Sequence, residues 1–497
     1  SNSRDAARNS YGAGGRDCKR SCDYAQQGRK RSTLRGIAPT NFGTKRLFRR
    51  IIIVKKTLIP TRIVYAEKVQ MQTNLLKRKD LQIGLEEDSL TEFQEGSSII
   101  LDYGREHCGG IRILTFHAKS VPVRIRFGES VTECCSELNG AQNATNDCSN
   151  RDFEVFLQDY SNMRFGETGF RFVRLDFYGA VKIKSILAES HIYQRKAVFQ
   201  YTGDDELIAQ IFSTAKRTID LCASNGYVWD GVKRDRLVWI GDMHPEMLAL
   251  TTLYGRVLEV EKSLDFIKNQ TPLPKWMNKW FPTYSMWWVI IIADYYQYTK
   301  AKDFTKRQLS YLQGLLDLML DCVLENGEMN YPSYFIDWQM NGKPEEKMGA
   351  RALNIMAAKR AKWLLEEFAM PSNKAELLLE RLKKVEIVAK NSKQVIALKY
   401  FATGLTEEDK KNLVKNGAKG MSTFMSYYIL KAVASFDKVR ALEMMREYYG
   451  GMLSKGATTF WEDFDLSWIK NSCRIDEFPQ NGQKDIHGDF GAYCYKG

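Results

Sequence analysis

The segment WDGVKRDRLVWIGDMHPE, which runs from Trp229 to Glu246, combines ionisable and aromatic side chains at close spacing. Its aspartates are Asp230, Asp235 and Asp242, its cations are Lys233, Arg234 and Arg236, and its indoles are Trp229 and Trp239. Buried ion pairs lose hydration that their attraction scarcely recovers, so charges are a poor device for stability alone. Carboxylates accept hydrogen bonds from hydroxyl groups, and indoles offer flat apolar faces, which together suit a carbohydrate site. The alternative is a salt-bridged loop that fastens two helices.

The sequence divides into three regions, and the segment 229–246 lies in the third. Residues 1–45 are rich in Gly, Ser, Arg and Asn and predict a basic, irregular N-terminal arm. Residues 46–198 contain short runs with β-branched and aromatic enrichment, and Val123, Ile125 and Phe127 alternate with arginines. Such runs predict an antiparallel β-sandwich.

From residue 199 the apolar period becomes helical. The run DDELIAQIFSTAKRTIDLCASN places its apolar residues on one face, and Asp204 and Asp205 are its candidate N-caps. Further helices are predicted over 246–266, 284–299, 303–324, 346–369, 373–390, 392–402, 406–415, 421–434 and 436–450. Many helices without intervening strands indicate a large all-α domain over 199–497. The segment 229–246 is then a loop after the first helix, with Asp242 as an N-cap candidate for the next helix.

The distribution of charge argues against a nucleic-acid surface on the folded body. The chain has 497 residues and a formal net charge of +13. Residues 1–60 carry 15 Lys and Arg against 3 Asp, which gives +12 and leaves +1 for the other 437 residues. We therefore expect no nucleic-acid partner for the body and a solvated role for the basic arm.

Metal ions, a membrane span and a disulfide framework are also disfavoured. The ten cysteines form no CxxC pair and no DxDxDG loop occurs, so we expect free, buried thiols, no metal and no other cofactor. The longest apolar run, from Met286 to Tyr296, is too short to span a bilayer. If a signal peptide has been removed, a periplasmic or secreted location is expected over a cytoplasmic one. The oligomeric state is not readable.

The segment DGVKRDRLVWIGD resembles the signature loop of the α-L-rhamnosidases of glycoside hydrolase family 78. Five other segments fit this family in the same order along the chain. They are GFRFVRLDF (169–177), PTYSMWWVIIIADYYQYT (282–299), YPSYFIDW (331–338), GMSTFMSYYILKA (420–432) and GATTFWEDFD (456–465). The resemblance implies an N-terminal β-sandwich followed by an (α/α)6 barrel. The barrel is expected to be incomplete at its C-terminal end, because the family pattern continues beyond DFGAYCYKG.

The resemblance also implies roles for individual residues. It implies an inverting hydrolase that releases terminal α-L-rhamnose from plant-type glycosides or polysaccharide side chains, with Asp235 as general acid and Glu462 as general base. In such a mechanism one carboxyl protonates the leaving oxygen while the other activates water. Many family members carry Glu at the acid position, and Asp235 is one methylene shorter. The implied substrate contacts are polar (Asp230, Arg234, Asp242 and Asp337) and aromatic (Trp239, Trp287, Trp288, Trp338 and Trp461).

Three other functions are compatible with the sequence. One is a non-catalytic or weakly active carbohydrate binder on the same fold. Another is an unsaturated-uronide hydrolase or polysaccharide lyase, which is disfavoured because only His244 of five histidines lies near the loop. The third is nucleic-acid binding through residues 1–60.

Overall fold

The computed structural model describes residues 52–78, 89–137, 151–233 and 236–486, which form an antiparallel sheet followed by helices. This order of sheet and helices agrees with the prediction. The predicted arm over 1–45 lies outside the described residues, as do Arg234 and Asp235. The domain boundaries at 45/46 and 198/199 stay predictions.

The N-terminal part is one hydrogen-bonded sheet of seven strands. They are β1 (Ile52–Leu58), β2 (Arg62–Gln70), β3 (Thr91–His117), β4 (Val121–Gly128), β5 (Asp152–Leu157), β6 (Asn162–Phe177) and β7 (Val181–Gln194). The order is β1-β7-β3-β6-β4-β5, with β2 also on β3, and every pair is antiparallel. The predicted alternation holds in β4, where Val123, Ile125 and Phe127 are fully buried. Hydrogen bonding is continuous through all seven strands, so a division into two sandwich layers stays a prediction.

The helical part follows the sheet. Directly after its first helix comes a two-stranded ribbon of β8 (Ala223–Ser224) and β9 (Tyr227–Val228), and the other helices follow. The described residues contain twelve α-helices. They are α1 (Glu206–Cys222), α2 (Met243–Tyr254), α3 (Leu258–Gln270), α4 (Thr283–Thr299), α5 (Lys302–Lys306), α6 (Leu309–Asp321), α7 (Glu346–Glu367), α8 (Asn373–Leu382), α9 (Lys393–Ala402), α10 (Glu407–Val414), α11 (Thr423–Ala434) and α12 (Lys438–Ser454). Short 3-10 helices cover Gln72–Leu76, Glu133–Cys135, Trp338–Met340 and Leu466–Ile469.

Helix packing proceeds from neighbour to neighbour and returns to its start. Helix α1 packs on α2, α2 on α4, α4 on α7, α7 on α9, α9 on α11, α11 on α12, and α12 on α1. Helix α4 is buried on all sides over most of its length, as expected for a helix enclosed by others. The double ring of six helix pairs stays a prediction.

Two predicted helices are each divided in the structure. The predicted helix over 246–266 breaks at Gly255, whose φ of 74° ends α2 before an extended Val257 begins α3. Glycine adopts this left-handed conformation without the steric cost that a Cβ brings. The predicted helix over 303–324 is likewise α5 and α6.

The predicted helix caps have different outcomes. The carboxylate of Asp205 accepts a hydrogen bond from the Ile208 N–H at 2.9 Å, as predicted for the cap of α1. Asp242 stands at the N-cap position of α2, as predicted, but its side chain makes no capping hydrogen bond.

The six cysteines in the described part of the chain are free, and four of them are buried, which agrees with the prediction for these six. No helix within residues 52–78, 89–137, 151–233 and 236–486 has the length and apolarity needed to cross a bilayer.

Candidate active site

Asp230 closes the loop that joins β9 to α2. Its backbone N–H donates to the Leu237 carbonyl at 3.0 Å, and its carboxylate accepts the Leu237 N–H at 3.0 Å. Asp230 is almost completely buried. These two bonds hold residues 230 and 237 together at the base of the loop. Arg234 and Asp235, which lie outside the described residues, fall between them in the sequence.

Arg236 fastens this loop to the sheet. Its guanidinium donates to the Glu167 carbonyl of β6 at 2.7 Å and lies over the Trp229 ring at 4.6 Å from the centroid. A cation over an indole face is attracted by the ring quadrupole. Strand β6 approaches so closely that a Cβ on Gly169 would lie 2.6 Å from a methyl carbon of Val232. Only glycine fits there without displacement.

Lys233 is the deepest point of the loop and enters a cluster of buried carboxyl groups. Its ammonium lies 3.0 Å from the Glu129 carboxyl and closer still to that of Glu133, on the segment that follows β4. All three side chains are at most 1% exposed, and the Glu106 side chain from β3 is 2% exposed. Three buried carboxyl groups thus surround the Lys233 ammonium.

The protonation states of this cluster follow from burial and pairing. Burial raises the pKa of Glu129 to about 8, against the lowering effect of Lys233, and raises the pKa of Glu106 well above its ordinary value. Burial opposes ionisation of Glu133 too, but Lys233 and Arg151 outweigh it and lower the pKa of that carboxyl. Glu133 and Lys233 therefore form the ion pair, while burial favours the protonated forms of Glu106 and Glu129.

The segment that carries Glu462 is fastened at several points. Its first residue, Gly456, accepts a hydrogen bond from the Arg171 guanidinium of β6 at 3.1 Å, and the Thr458 hydroxyl accepts the Glu106 N–H at 3.0 Å. Two residues before Glu462, the Phe460 N–H donates to the Thr218 hydroxyl of α1 at 3.0 Å. The sheet thus binds both of the segments to which the resemblance assigns carboxyl catalysts.

A connected series of aromatic rings joins the loop to the segment around Trp338. Trp239 stands edge-on to Tyr284 with centroids 6.3 Å apart, Tyr284 lies 6.4 Å from Phe335, and Phe335 lies 5.0 Å from Trp338. The loop is pressed onto this series, since a Cβ on Gly241 would lie 2.3 Å from a ring carbon of Tyr284. Trp338 is 55% exposed and ends the series at the surface.

The residues on either side of Trp338 connect it to the Glu462 segment. The carboxylate of Asp337 accepts a hydrogen bond from the Ser422 hydroxyl. The Gln339 side chain donates to the Asp463 carboxylate at 2.8 Å. Asp463 follows the half-buried Glu462, so the structure brings Trp239, Asp337, Trp338 and the Glu462 segment into one region.

Electrostatics distinguish the two adjacent carboxyl groups of the Glu462 segment. Burial and the neighbouring charge of Glu462 raise the pKa of Asp463, although the hydrogen bond from Gln339 opposes the shift. A carboxyl with a raised pKa retains its proton to a higher pH than an ordinary carboxyl does.

The other predicted tryptophans lie in the helical core. Trp287 is 1% exposed, stacks on His244 at 5.4 Å, and lies 5.3 Å from Tyr428. Trp288 is fully buried and donates its indole N–H to the Leu264 carbonyl, on the side of α3. Trp461 is also fully buried and packs against Phe464. All three indoles pack in the helical core, and their contact with a sugar stays a prediction.

Several residues of this region were not singled out from the sequence. Tyr284 and Phe335 form the middle of the aromatic series, and Gln339 and Asp463 link the two segments. The adjacent acids in TTFWEDFD were the available signal for Asp463. Nothing in the sequence could indicate Gln339, because its partner is 124 residues away.

Among the residues that the structure describes, no group of three or more His, Cys, Asp or Glu side chains could hold a metal ion.

Comparisons with known proteins show that this architecture is already known. No family model matches the sequence, and no curated protein matches it either. The fold is similar to that of a rhamnosidase from Klebsiella oxytoca with rhamnose bound, with a TM-score of 0.70 and 19% identity, over 88% of this chain and 94% of that one. It is also similar to the rhamnosidase of family GH78 from Bacillus sp. GL1, with a TM-score of 0.64 and 16% identity, over 83% of this chain and 47% of that one.

An α-L-rhamnosidase from Dictyoglumus thermophilum gives a third match, with a TM-score of 0.62 and 15% identity, over 87% of this chain and 50% of that one. The chain thus spans nearly all of the first of these proteins and about half of the other two. The likeness is one of fold, because the sequence identities are low.

Proposed function

We propose that this chain is a glycoside hydrolase that releases terminal α-L-rhamnose, built as a β-sandwich followed by an (α/α)6 barrel. The observation that carries the proposal is the likeness of fold to the Klebsiella oxytoca rhamnosidase over most of both chains. The convergence of Trp239, Asp337, Trp338 and the Glu462 segment supports it from the described residues. A plant-type glycoside or a polysaccharide side chain is the expected substrate.

The proposed reaction is an inverting hydrolysis. Asp235, assigned through the resemblance, donates a proton to the glycosidic oxygen as the bond from that oxygen to the anomeric carbon breaks. Glu462 accepts a proton from a water molecule, whose oxygen forms the new bond to the anomeric carbon from the opposite face. The products are free rhamnose of inverted anomeric configuration and the alcohol of the leaving group.

The sugar contacts divide by chemistry. Rhamnose presents a methyl group and apolar ring faces, which suit the exposed indole of Trp338 and the edge of Trp239. Asp242 and Asp337 are proposed to accept hydrogen bonds from adjacent hydroxyls, and Arg234 is proposed to donate them. Asp230 closes the loop through its carboxylate and is proposed to contact a sugar hydroxyl as well.

Hydrolysis of 4-nitrophenyl α-L-rhamnoside by the full chain tests the proposal. We expect turnover in the native chain and a loss of about a thousandfold in kcat for Glu462→Gln, the size typical of acid–base groups. Glu477→Gln is the matched control, because Glu477 is an exposed glutamate 15 positions further along the chain. Absence of turnover in the native chain, or full activity in Glu462→Gln, would refute the proposal.

The assigned acid and base can be separated by the leaving group. A 4-nitrophenolate departs without protonation, whereas an alkoxide does not, so Asp235→Asn should impair alkyl rhamnosides far more than 4-nitrophenyl rhamnoside. Glu462→Gln should impair both to the same degree, because water attack is common to both. Proton NMR of the first product should show the anomer opposite to that of the substrate, and retention would exclude the inverting route.

A non-catalytic carbohydrate binder is the second candidate, favoured by the half-exposed Trp338. Calorimetry with rhamnose distinguishes the two functions. Saturable binding of rhamnose by the native chain without turnover of any rhamnoside would favour the binder.

A further inference from the structure

A cleft lies between the sheet and the first helix. It has a volume of about 460 Å³, within the range of small-molecule sites. One wall comes from β1, β3 and β7, and the other comes from α1 and residues 457–458. Of the residues predicted for the rhamnoside site, none that the structure describes lines this cleft.

Positive charge predominates in this cleft. Its lining contains the cations Lys56, Arg105, Lys216 and Arg217 against one carboxylate, Asp220. Lys216 pairs with Asp220 at 2.6 Å. The other three cations make no ion pair with any residue that the structure describes. Glu106 and Asp220 partly offset the charge of Arg217, but Arg105 and Arg217 repel each other, and an anion between them would reduce that repulsion.

Arg217 is the innermost of these cations. One of its terminal nitrogens donates to the Glu106 carbonyl, while its buried Nε finds no acceptor within the described residues. Burial, together with the charge of Arg105, lowers the pKa of Arg217 to about 10, so it remains a cation at neutral pH. Burial and the charge of Arg217 also lower the pKa of His107 to about 3, so this imidazole is neutral and adds no charge.

Hydroxyl-bearing side chains complete the lining. They are Ser190, Tyr193, Ser213, Thr214 and Thr458. Guanidinium groups match the geometry of carboxylates and phosphates, and hydroxyls match the polar groups of a sugar. Lys56 and Arg105 are exposed at the mouth, where they would attract an anion from solution.

We propose that this cleft binds a small molecule that carries an oxyanion, of the class of sugar acids and sugar phosphates. Arg217 binds the anion at the base of the cleft, and Arg105 and Lys56 bind it at the mouth. The hydroxyls donate hydrogen bonds to the sugar or accept them from it. This site is separate from the proposed rhamnoside site, and its occupation does not depend on the proposed hydrolysis.

Calorimetric titration of the full chain at constant ionic strength tests this site. The probes are glucuronate, glucose 6-phosphate and inorganic phosphate, with glucose as the neutral comparison. We expect saturable binding of at least one anion, with one site per chain, and no binding of glucose. Preference for glucuronate identifies a carboxylate ligand, whereas preference for either phosphate identifies a phosphorylated one.

Variants at the mouth keep the test independent of folding, because Lys56 and Arg105 are exposed. Arg105→Ala and Lys56→Ala should each weaken binding about tenfold, as expected for the loss of a charge-assisted contact. Lys55→Ala is the matched control, because Lys55 is the preceding residue of β1, is exposed, and does not line the cleft. Rhamnoside hydrolysis should be unchanged in all three variants. Failure of all three anions to saturate the native chain, or equal weakening by Lys55→Ala, would overturn the proposal.

Discussion

Replacement of Lys233 by methionine is the sharpest perturbation that the structure offers. The ammonium is fully buried, 3.0 Å from Glu129 and closer to Glu133. Methionine fills a similar volume but leaves the ionised Glu133 without its main counter-charge, and only Arg151 and the hydrogen bond from the Glu129 N–H continue to favour its anion among the described groups. A buried carboxylate that has lost its partner must either remain charged in surroundings of low polarity or take up a proton.

The cost follows from the depth of this pair. Removal of one partner of a buried ion pair costs about 3–5 kcal/mol, which is a large part of the about 5–15 kcal/mol that holds a domain folded. Denaturant unfolding followed by tryptophan fluorescence measures the difference. Lys302→Met is the control, because Lys302 is exposed and makes no ion pair among the described residues, and it should change the unfolding free energy by less than about 0.5 kcal/mol.

A double variant separates the ion pair from simple packing. Lys233→Met combined with Glu133→Gln removes both charges, so its loss of stability should be well below the sum of the two single losses. If Lys233→Met costs less than about 1 kcal/mol, or if the two substitutions add, the assignment of the buried pair is refuted.

The same structure yields further expectations. Because the pKa of Glu129 is raised from 4.5 to about 8, the folded state holds a proton that the unfolded chain releases, and the unfolding free energy should fall as pH rises across this interval. Glu129→Gln cannot lose a proton, so denaturant unfolding between pH 5 and pH 8 should show a smaller slope in this variant. Gly241→Ala brings a methyl carbon onto the ring of Tyr284 and should lower stability by about 1–3 kcal/mol in the same measurement. Trp338→Ala should raise KM for an aryl rhamnoside with little change in thermal unfolding, whereas Trp280→Ala, which removes a comparably exposed indole, should leave KM unchanged.

Local patterns in the sequence were enough to predict the order of sheet and helices. Period-two alternation marked β4, and the 3.6-residue period together with Asp205 marked the start of α1. These signals are local, because each depends on residues within one strand or one helix. The division of 246–266 was missed, because the periodic pattern hid the effect of a single residue, Gly255.

The site was predictable where it is continuous in sequence and was not where it depends on distant partners. The loop from Asp230 to Asp242 could be identified by its residues alone. Its anchoring could not, since Lys233 and Glu133 are 100 residues apart. The indole of Trp288 lies against α3, and this contact could not be predicted, because the local pattern does not specify which helices cover each face of α4.

The positions of these contacts explain why a sheet accompanies the helices in this chain. Under the proposed function Asp235 is the acid. It is one methylene shorter than glutamate, so the reach of its carboxyl must come from placement of the backbone, and an error of about 1 Å can cost a hundredfold in rate. Lys233 is held by the segment that follows β4, and Arg236 is held by β6. Strand β6 also binds Gly456, six positions before Glu462. The sheet and the segment after β4 thus hold both of the proposed catalytic segments, and under the proposed function any loosening of them should lower kcat before it unfolds the helices.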